Sequence, residues 1–247
     1  MIHRRNALLM LPAALLASPS HGLDLGKALD AARGAAGAAS LSDADVQARA
    51  RQMAVQMDSS APIAPEASPY ARRLGALTEA CRDDKGLALN YKVYLTREVN
   101  AFALADGSIR FYSGLMDMMS DDEIRYVIGH EIGHVQAGHS RKRMQMAIGT
   151  GALRDAAGAA GGRAAVLSSS ELGELFVKVV RAQHSQANEN EADDYAMGFL
   201  SRRRFDRKAS VTALEKLDKL SGGGGANWLS THPAPKDRAE RMRQQLG

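Results

Sequence analysis

His130-Glu131-Ile132-Gly133-His134 constrains this chain most, because its H-E-x-x-H spacing has a chemical meaning only on an α-helix. Positions four apart on a helix lie on one face, one turn apart, so both imidazoles reach a single metal ion while the glutamate stands beside them. From the His and Glu frequencies, a random match somewhere in the chain has odds of roughly one in a hundred. The flanking residues supply the helix that the motif needs. Ser120-Asp121-Asp122-Glu123 reads as a capping box, with Ser120 as N-cap and Glu123 at the third helical position, and the two aspartates complement the positive end of the helix dipole. Ile124, Val127, Ile128 and Val135 give the helix an apolar side to bury. Gly129 and Gly133 weaken it, yet they remove bulk next to the histidines, which predicts the close approach of another element or a ligand. The bland alternative is two ordinary histidines on a surface or core helix.

Composition sets the compartment. Met1-Ile2-His3-Arg4-Arg5, an apolar run from Ala7 to Ala17, and Ser18-Pro19-Ser20 follow the order of a secretory signal peptide, so residues 1–20 are read as one. The apolar run is short for a bilayer span, and no later stretch approaches the length of a transmembrane helix. The expectation is an exported, periplasmic protein. Cys81 is the one cysteine, so no intramolecular disulfide forms and no acylated cysteine follows the signal, which argues against a lipoprotein. An occasional intermolecular disulfide through Cys81 is the alternative use of that thiol. Without residues 1–20 the formal charge falls from +4 to +2, too small a bias to indicate nucleic acid or an anionic membrane as partner. Abundant Ala, Met and Leu with few aromatics point to a mainly α fold, α+β in class.

Along the chain, Ser42 is read as the N-cap of a helix with Leu41 stapled onto Val46, and Val46, Ala50, Met53 and Met57 continue its apolar stripe. Pro62, Pro65 and Pro69 then mark a connector, which divides an N-terminal helical segment (21–69) from the main domain (70–247). Ala71 to Cys81 reads as helix. Lys92-Val93-Tyr94-Leu95 is strand-like, and Ala101–Leu104 and Ile109–Tyr112 form a hairpin around Asp106-Gly107. A two-residue turn there sets Leu104 opposite Ile109 and Phe102 opposite Phe111. This small β-sheet, next to the H-E-x-x-H helix, offers an edge on which an extended substrate would lie; a purely structural sheet is the competing reading. The Gly/Ala-rich stretch 149–162 is either a mobile flap or a loosely packed helix, and Ser221-Gly222-Gly223-Gly224-Gly225 is a flexible linker.

A catalytic zinc takes three protein ligands and keeps one open position, so His130 and His134 need a partner. Glu189-Asn190-Glu191-Ala192-Asp193 is the donor stretch: on a helix Glu189 and Asp193 share a face, while Glu191 points nearly opposite. Glu189 is assigned as ligand, and Asp193 as acceptor of a ligating histidine's free N–H. On spacing alone a solvated acidic face competes with that reading, and Glu191 and His184 are the fallback ligands.

These residues resemble the gluzincin metallopeptidase superfamily that contains HtpX, BepA and the CAAX-prenyl proteases, and within it the periplasmic LoiP-like branch. Asn100-Ala101-Phe102-Ala103, Ser113-Gly114-Leu115-Met116-Asp117, Ser185-Gln186 and Thr231-His232-Pro233 are similar to that branch in the same order, from about Leu41 to Arg241. The resemblance implies a zincin-like helical domain with a small sheet, one Zn²⁺ per chain, Glu189 as third ligand and Asp193 behind a histidine. It also implies cleavage of unfolded or misassembled envelope proteins, with peripheral association with the outer membrane or its assembly machinery. His232 enters through the resemblance alone, near the metal, either as an oxyanion stabiliser or as a blocking ligand. Arg238 is a further candidate for that oxyanion or charge role. Many LoiP-like members are lipoproteins, a feature this chain lacks.

The implied chemistry is hydrolysis of peptide bonds, in which Glu131 takes a proton from a zinc-activated water and returns it to the leaving amine. The rival reading is a periplasmic chaperone or assembly factor with a latent zinc site. A purely structural site has no use for Glu131, which favours the peptidase.

Overall fold

The computed structural model describes residues 42–148, 169–220 and 227–247. The expected signal peptide at 1–20, residues 21–41, the Gly/Ala-rich stretch at 149–162 and the glycine run at 221–225 lie outside the described residues.

The chain begins with α1 (Asp43–Ser60), where Ser42 and Asp45 form a reciprocal capping box, and Val46, Ala50 and Met53 are fully buried. The proline-rich stretch that follows does more than connect. Ile63 bridges Tyr94, the Ala64 N–H donates to the Val93 carbonyl at 2.9 Å, and the Leu95 N–H donates to the Pro62 carbonyl at 2.7 Å. A proline has no N–H to lose but still accepts, so this segment covers a strand edge. Pro69 then opens α2 (Pro69–Thr78) at its first helical position, with Ser68 as cap, and a short 3₁₀ turn (Glu79–Cys81) prolongs it. Cys81 is fully buried and burial pushes its thiol pKa up, so it packs as a core residue and is closed to the intermolecular disulfide expected as an alternative.

A small hairpin of β1 (Asp83–Asp84) and β2 (Leu87–Ala88) turns at Lys85-Gly86, both with positive φ. The main sheet has the order β3 (Asn90–Tyr94), β5 (Ser108–Tyr112), β4 (Ala101–Ala103), with β3 parallel and β4 antiparallel to β5. The hairpin lies where expected, but its register is shifted by one residue: Ala101 faces Phe111, Phe102 faces Arg110, and Ala103 faces Ile109. The loop has three residues, because the Asp106 carboxylate accepts from the Ser108 N–H and Gly107 takes the left-handed conformation, which inserts a bulge in place of the two-residue turn. The shift sorts the side chains onto two faces. Ala101, Ala103, Ile109 and Phe111 enter the main core, while Phe102, Leu104 and Tyr94 enter a second one built with Val46 and Met53. Arg110 also faces α1, where Asp58 accepts from its Nε at 2.9 Å and its Nη2 at 3.0 Å and from Lys92 and Tyr94 at 2.7 Å each.

After α3 (Ser113–Met118) comes the motif helix α4 (Asp121–Gln136), capped reciprocally by Ser120 and Glu123. Gly138, at φ 70°, redirects the chain into α5 (His139–Ala147). Helix α6 (Ser169–Val180) packs with α1 and α5 on the second face of the sheet, and α7 (Gln186–Arg202) packs along α4. The two motif glycines set that contact: a Cβ at Gly129 would lie 2.9 Å from Phe199 Cδ1, and one at Gly133 would lie 3.0 Å from Ala192 Cα. Helices α8 (Ala209–Asp218), α9 (Asn227–Thr231) and α10 (Pro235–Leu246) complete a mainly helical fold with its small mixed sheet beside the motif helix. Among the described residues, no helix is long and apolar enough to cross a membrane.

Candidate metal centre

The close α4–α7 contact brings Glu189 and Asp193 against the motif histidines. His130 Nε2 and His134 Nε2 are 3.1 Å apart, Glu189 Oε2 is 3.5 Å from the first, and Glu189 Oε1 is 3.3 Å from the second. A tetrahedron of ligands around zinc, at the usual bond lengths, has edges of about 3.3 Å. His232, in the turn between α9 and α10, supplies the fourth vertex, its Nδ1 lying 3.3 Å from His130 Nε2 and 3.1 Å from Glu189 Oε1. All four side chains are buried and their donor atoms converge, so the donor set fits one zinc ion.

Behind His130, Asp193 Oδ1 accepts from Nδ1 at 2.9 Å, which leaves the Nε2 lone pair for a metal. Arg238 holds that carboxylate with two bonds of 2.8 Å, from Nε and Nη2, and Tyr126 donates to it at 2.7 Å. Burial works to raise the Asp193 pKa, but the Arg238 guanidinium outweighs it and keeps the carboxyl well below the usual range. Arg238 Nη1 is also 2.5 Å from Glu189 Oε2, an ion-pair contact without hydrogen-bond alignment. The charge role expected of Arg238 is thus directed at these two carboxylates.

His134 is backed differently. Its Nδ1 meets His139 Nδ1 at 2.9 Å, and His139 Nε2 meets Glu191 Oε2 at 3.2 Å, with the Glu191 side chain 64% exposed. Proton positions follow from the network: His134 donates to His139, which donates to Glu191. His184 is buried with its ring stacked on His134, centroids 3.8 Å apart, and its Nδ1 has no partner; it lies outside the four converging donors.

Glu131 is 1% exposed, its Oε1 has no hydrogen-bond partner and lies 3.7 Å from His232 Nε2, and burial raises its pKa to about 7. A carboxylate poised there exchanges protons at neutral pH. His232 is pushed down to about 4 by burial, which keeps it neutral and its lone pair available. Its ring stacks on that of Trp228 at 4.0 Å, and the Trp228 backbone N–H donates to the Val99 carbonyl at 3.1 Å. That contact adjoins β4. The register turns the N–H and C=O of Ala101 and Ala103 away from β5, and Ser140 Oγ caps the Ala103 carbonyl at 2.9 Å.

Sequence reasoning named His130, Glu131, His134, Glu189, Asp193, His232 and Arg238, with His184 and Glu191 as alternatives, and missed Tyr126, His139 and Trp228. Tyr126 had a signal, one turn before His130 on the same helix face. His139 had none, since it reaches His134 only across the left-handed turn at Gly138, and Trp228 acts through packing.

The profile of peptidase family M48 matches residues 71–246. The chain is 44% identical to metalloprotease LoiP of Escherichia coli over 98% of this chain and 96% of that protein, and 40% identical to metalloprotease YcaL of the same organism over 92% and 90%. The beta-barrel assembly-enhancing protease of Escherichia coli is 29% identical over 74% of this chain and 40% of its own length. With the family profile covering the whole buried donor set, the chain belongs to peptidase family M48 and is a zinc-dependent peptidase.

Proposed function

We propose that this peptidase is an endopeptidase of protein quality control in the cell envelope, cleaving unfolded or misassembled proteins. His130, His134 and Glu189 hold the zinc, Glu131 is the general base, and Asp193 and Arg238 fix the ligands. Residues 1–20 direct export to the periplasm, 21–69 form an N-terminal segment, and 70–247 form the peptidase domain. A bound zinc supplies Lewis acidity toward a water and the scissile carbonyl. Glu131 takes the proton and hands it to the leaving amine, a role that its raised pKa and unpaired Oε1 suit. The observation that carries the reading is this buried glutamate, its Oε1 without a hydrogen-bond partner, beside the converging ligands. Glu131→Gln keeps zinc and fold and lowers kcat on casein by about 10²–10⁴-fold. Undiminished turnover in a zinc-replete Glu131→Gln preparation refutes the role.

His232 stands at the position that a catalytic zinc leaves open, so it restrains the enzyme. A substrate strand pairing with β4 displaces the Trp228 contact at Val99 and draws His232 away. His232→Ala then raises basal casein cleavage; a fall shows instead that His232 serves the transition state. Association with the outer membrane or its assembly machinery is the accompanying proposal, tested by fractionation of cells expressing the full chain. A chaperone role is the second reading, favoured by the same closed position of His232, and it predicts that assembly assistance survives Glu131→Gln.

A further inference from the structure

We propose that the cavity between α2 and the outer edge of β3 binds the extended C-terminal residues of a polypeptide, which add to the sheet as a strand with their carboxylate at Arg82. The cavity has a volume of about 460 Å³, with Ala71, Leu74, Gly75 and Thr78 of α2 on one side and residues 90–93 of β3 on the other. A helix standing beside an open strand edge is an arrangement into which peptides dock by strand addition. The edge is open for a reason that lies in the sequence. The Asn90 N–H donates to the Gly107 carbonyl at 3.0 Å, on the β5 side, so the backbone groups of Tyr91 and Val93 point the other way, toward the cavity. The segment before α2 pairs with this edge only at its far end, where the Ala64 N–H reaches the Val93 carbonyl and Ile63 bridges Tyr94 in the antiparallel sense. Pro65 then stops the pairing: it has no N–H to donate, and its carbonyl accepts from the Ser68 N–H at 2.8 Å in the turn into α2. No described residue supplies a backbone partner for the N–H and C=O of Tyr91.

Charge at the two ends of the cavity sets the direction. The Leu89 N–H donates to the Arg82 carbonyl at 2.9 Å, which places the exposed Arg82 beside the start of β3, while Glu66, two residues past Ala64, stands beside its end; both line the cavity. A peptide that prolongs the antiparallel course of Ile63 and Ala64 runs toward Arg82 and meets the guanidinium with its carboxylate. The reverse direction would bring that carboxylate to Glu66. Lys92, the other cation of the lining, is already held by Asp58 at 2.7 Å, so selection falls to Arg82. Residues 90–93 offer an edge of about 13 Å at 3.3 Å per residue, enough for a short extended chain end. Small side chains at Ala71 and Gly75 leave the backbone and the terminus as the features that are read. With the strand order β3-β5-β4, this edge lies two strand spacings, about 10 Å, from β4 and the metal centre beside it, so the site anchors a chain and takes no part in hydrolysis.

Gly75 and Arg82 provide the test. A Cβ at Gly75 would meet nothing within 4 Å, so Gly75→Trp fills the cavity without moving α2. Gly173 on α6 is equally open but lies outside this cavity, and Gly173→Trp serves as control. The probe is a fluorescein-labelled decapeptide ending in Ala-Val-Ala-Val, as free acid and as C-terminal amide, followed by anisotropy on the full chain carrying Glu131→Gln to prevent cleavage. The free acid binds at least about tenfold more tightly than the amide. Arg82→Gln reduces the acid to the affinity of the amide, Gly75→Trp abolishes binding of both, and the Gly173→Trp control binds like its parent. Amide hydrogen exchange over residues 90–93 slows when the acid is bound, which reads the strand pairing directly and needs no cavity variant to fold. The proposal is overturned by no binding, by equal binding of acid and amide, by unchanged exchange over 90–93, or by binding that survives Gly75→Trp in a protein that melts cooperatively. A dimer in sedimentation that Gly75→Trp dissociates also overturns it, and gives the edge to a second copy of this chain. Every readout is binding, so the proposal stands or falls separately from the endopeptidase reading.

Discussion

The two histidines of the motif stand one turn apart on α4, yet they are held in opposite ways. Behind His130 lie Asp193, Arg238 and Tyr126, all fully buried and tied to one another by bonds of 2.7–2.8 Å. Behind His134 lies a chain of two hydrogen bonds through His139 that ends on Glu191 in solvent. A buried charge network is rigid and little screened, whereas an exposed carboxylate is mobile and screened by salt. One ligand is therefore anchored in the core, and the other is adjustable from the surface.

Unequal effects of substitution follow, the largest on the anchored side. Asp193→Ala leaves Arg238 buried without its main partner, which costs about 3–5 kcal/mol in denaturant unfolding of the zinc-free protein, and zinc affinity falls by about 100-fold. If Asp193→Ala unfolds like wild type, the anchored half of the comparison is broken. Gly133→Ala comes next: the added methyl would lie 3.0 Å from the Ala192 Cα and carbonyl oxygen, so α7 must shift, at about 1–3 kcal/mol. His139→Ala reduces zinc affinity by about tenfold with little change in unfolding, and Glu191→Ala has a smaller effect that fades in high salt. Equal losses in Asp193→Ala and His139→Ala, read by competitive zinc titration, would erase the distinction between the two sides.

Acid sharpens it further. Because Arg238 holds Asp193 below the ordinary carboxyl range despite burial, the folded pKa is depressed, and the stability it contributes is present above the unfolded value of about 4. That stability is lost as pH falls through the lower folded value. Zinc-free wild type therefore loses stability below about pH 4, and Asp193→Asn shows a shallower slope over the same range in urea melts at stepped pH.

What was legible in the sequence divides along the same line. His130, Glu131 and His134 sit on one capped helix, and Glu189 and Asp193 sit one turn apart on another, so local periodicity places all five. His232 was reachable only through resemblance, because nothing near it in sequence marks a metal. The contacts of His139 arise where separate elements meet, and periodicity within one element says nothing about them. The hairpin register failed for a similar reason: one hydrogen bond from Ser108 to the Asp106 side chain decides between a two-residue and a three-residue loop, and that residue shifts every cross-strand pair.

Hydrolysis is expected to depend on zinc held by Glu189 together with the motif histidines. The direct measurement is zinc content by elemental analysis and casein cleavage on the same purified samples of wild type and Glu189→Ala. One zinc per chain and cleavage are expected in wild type, with both lost together in Glu189→Ala. Full zinc stoichiometry and undiminished cleavage in Glu189→Ala would contradict it.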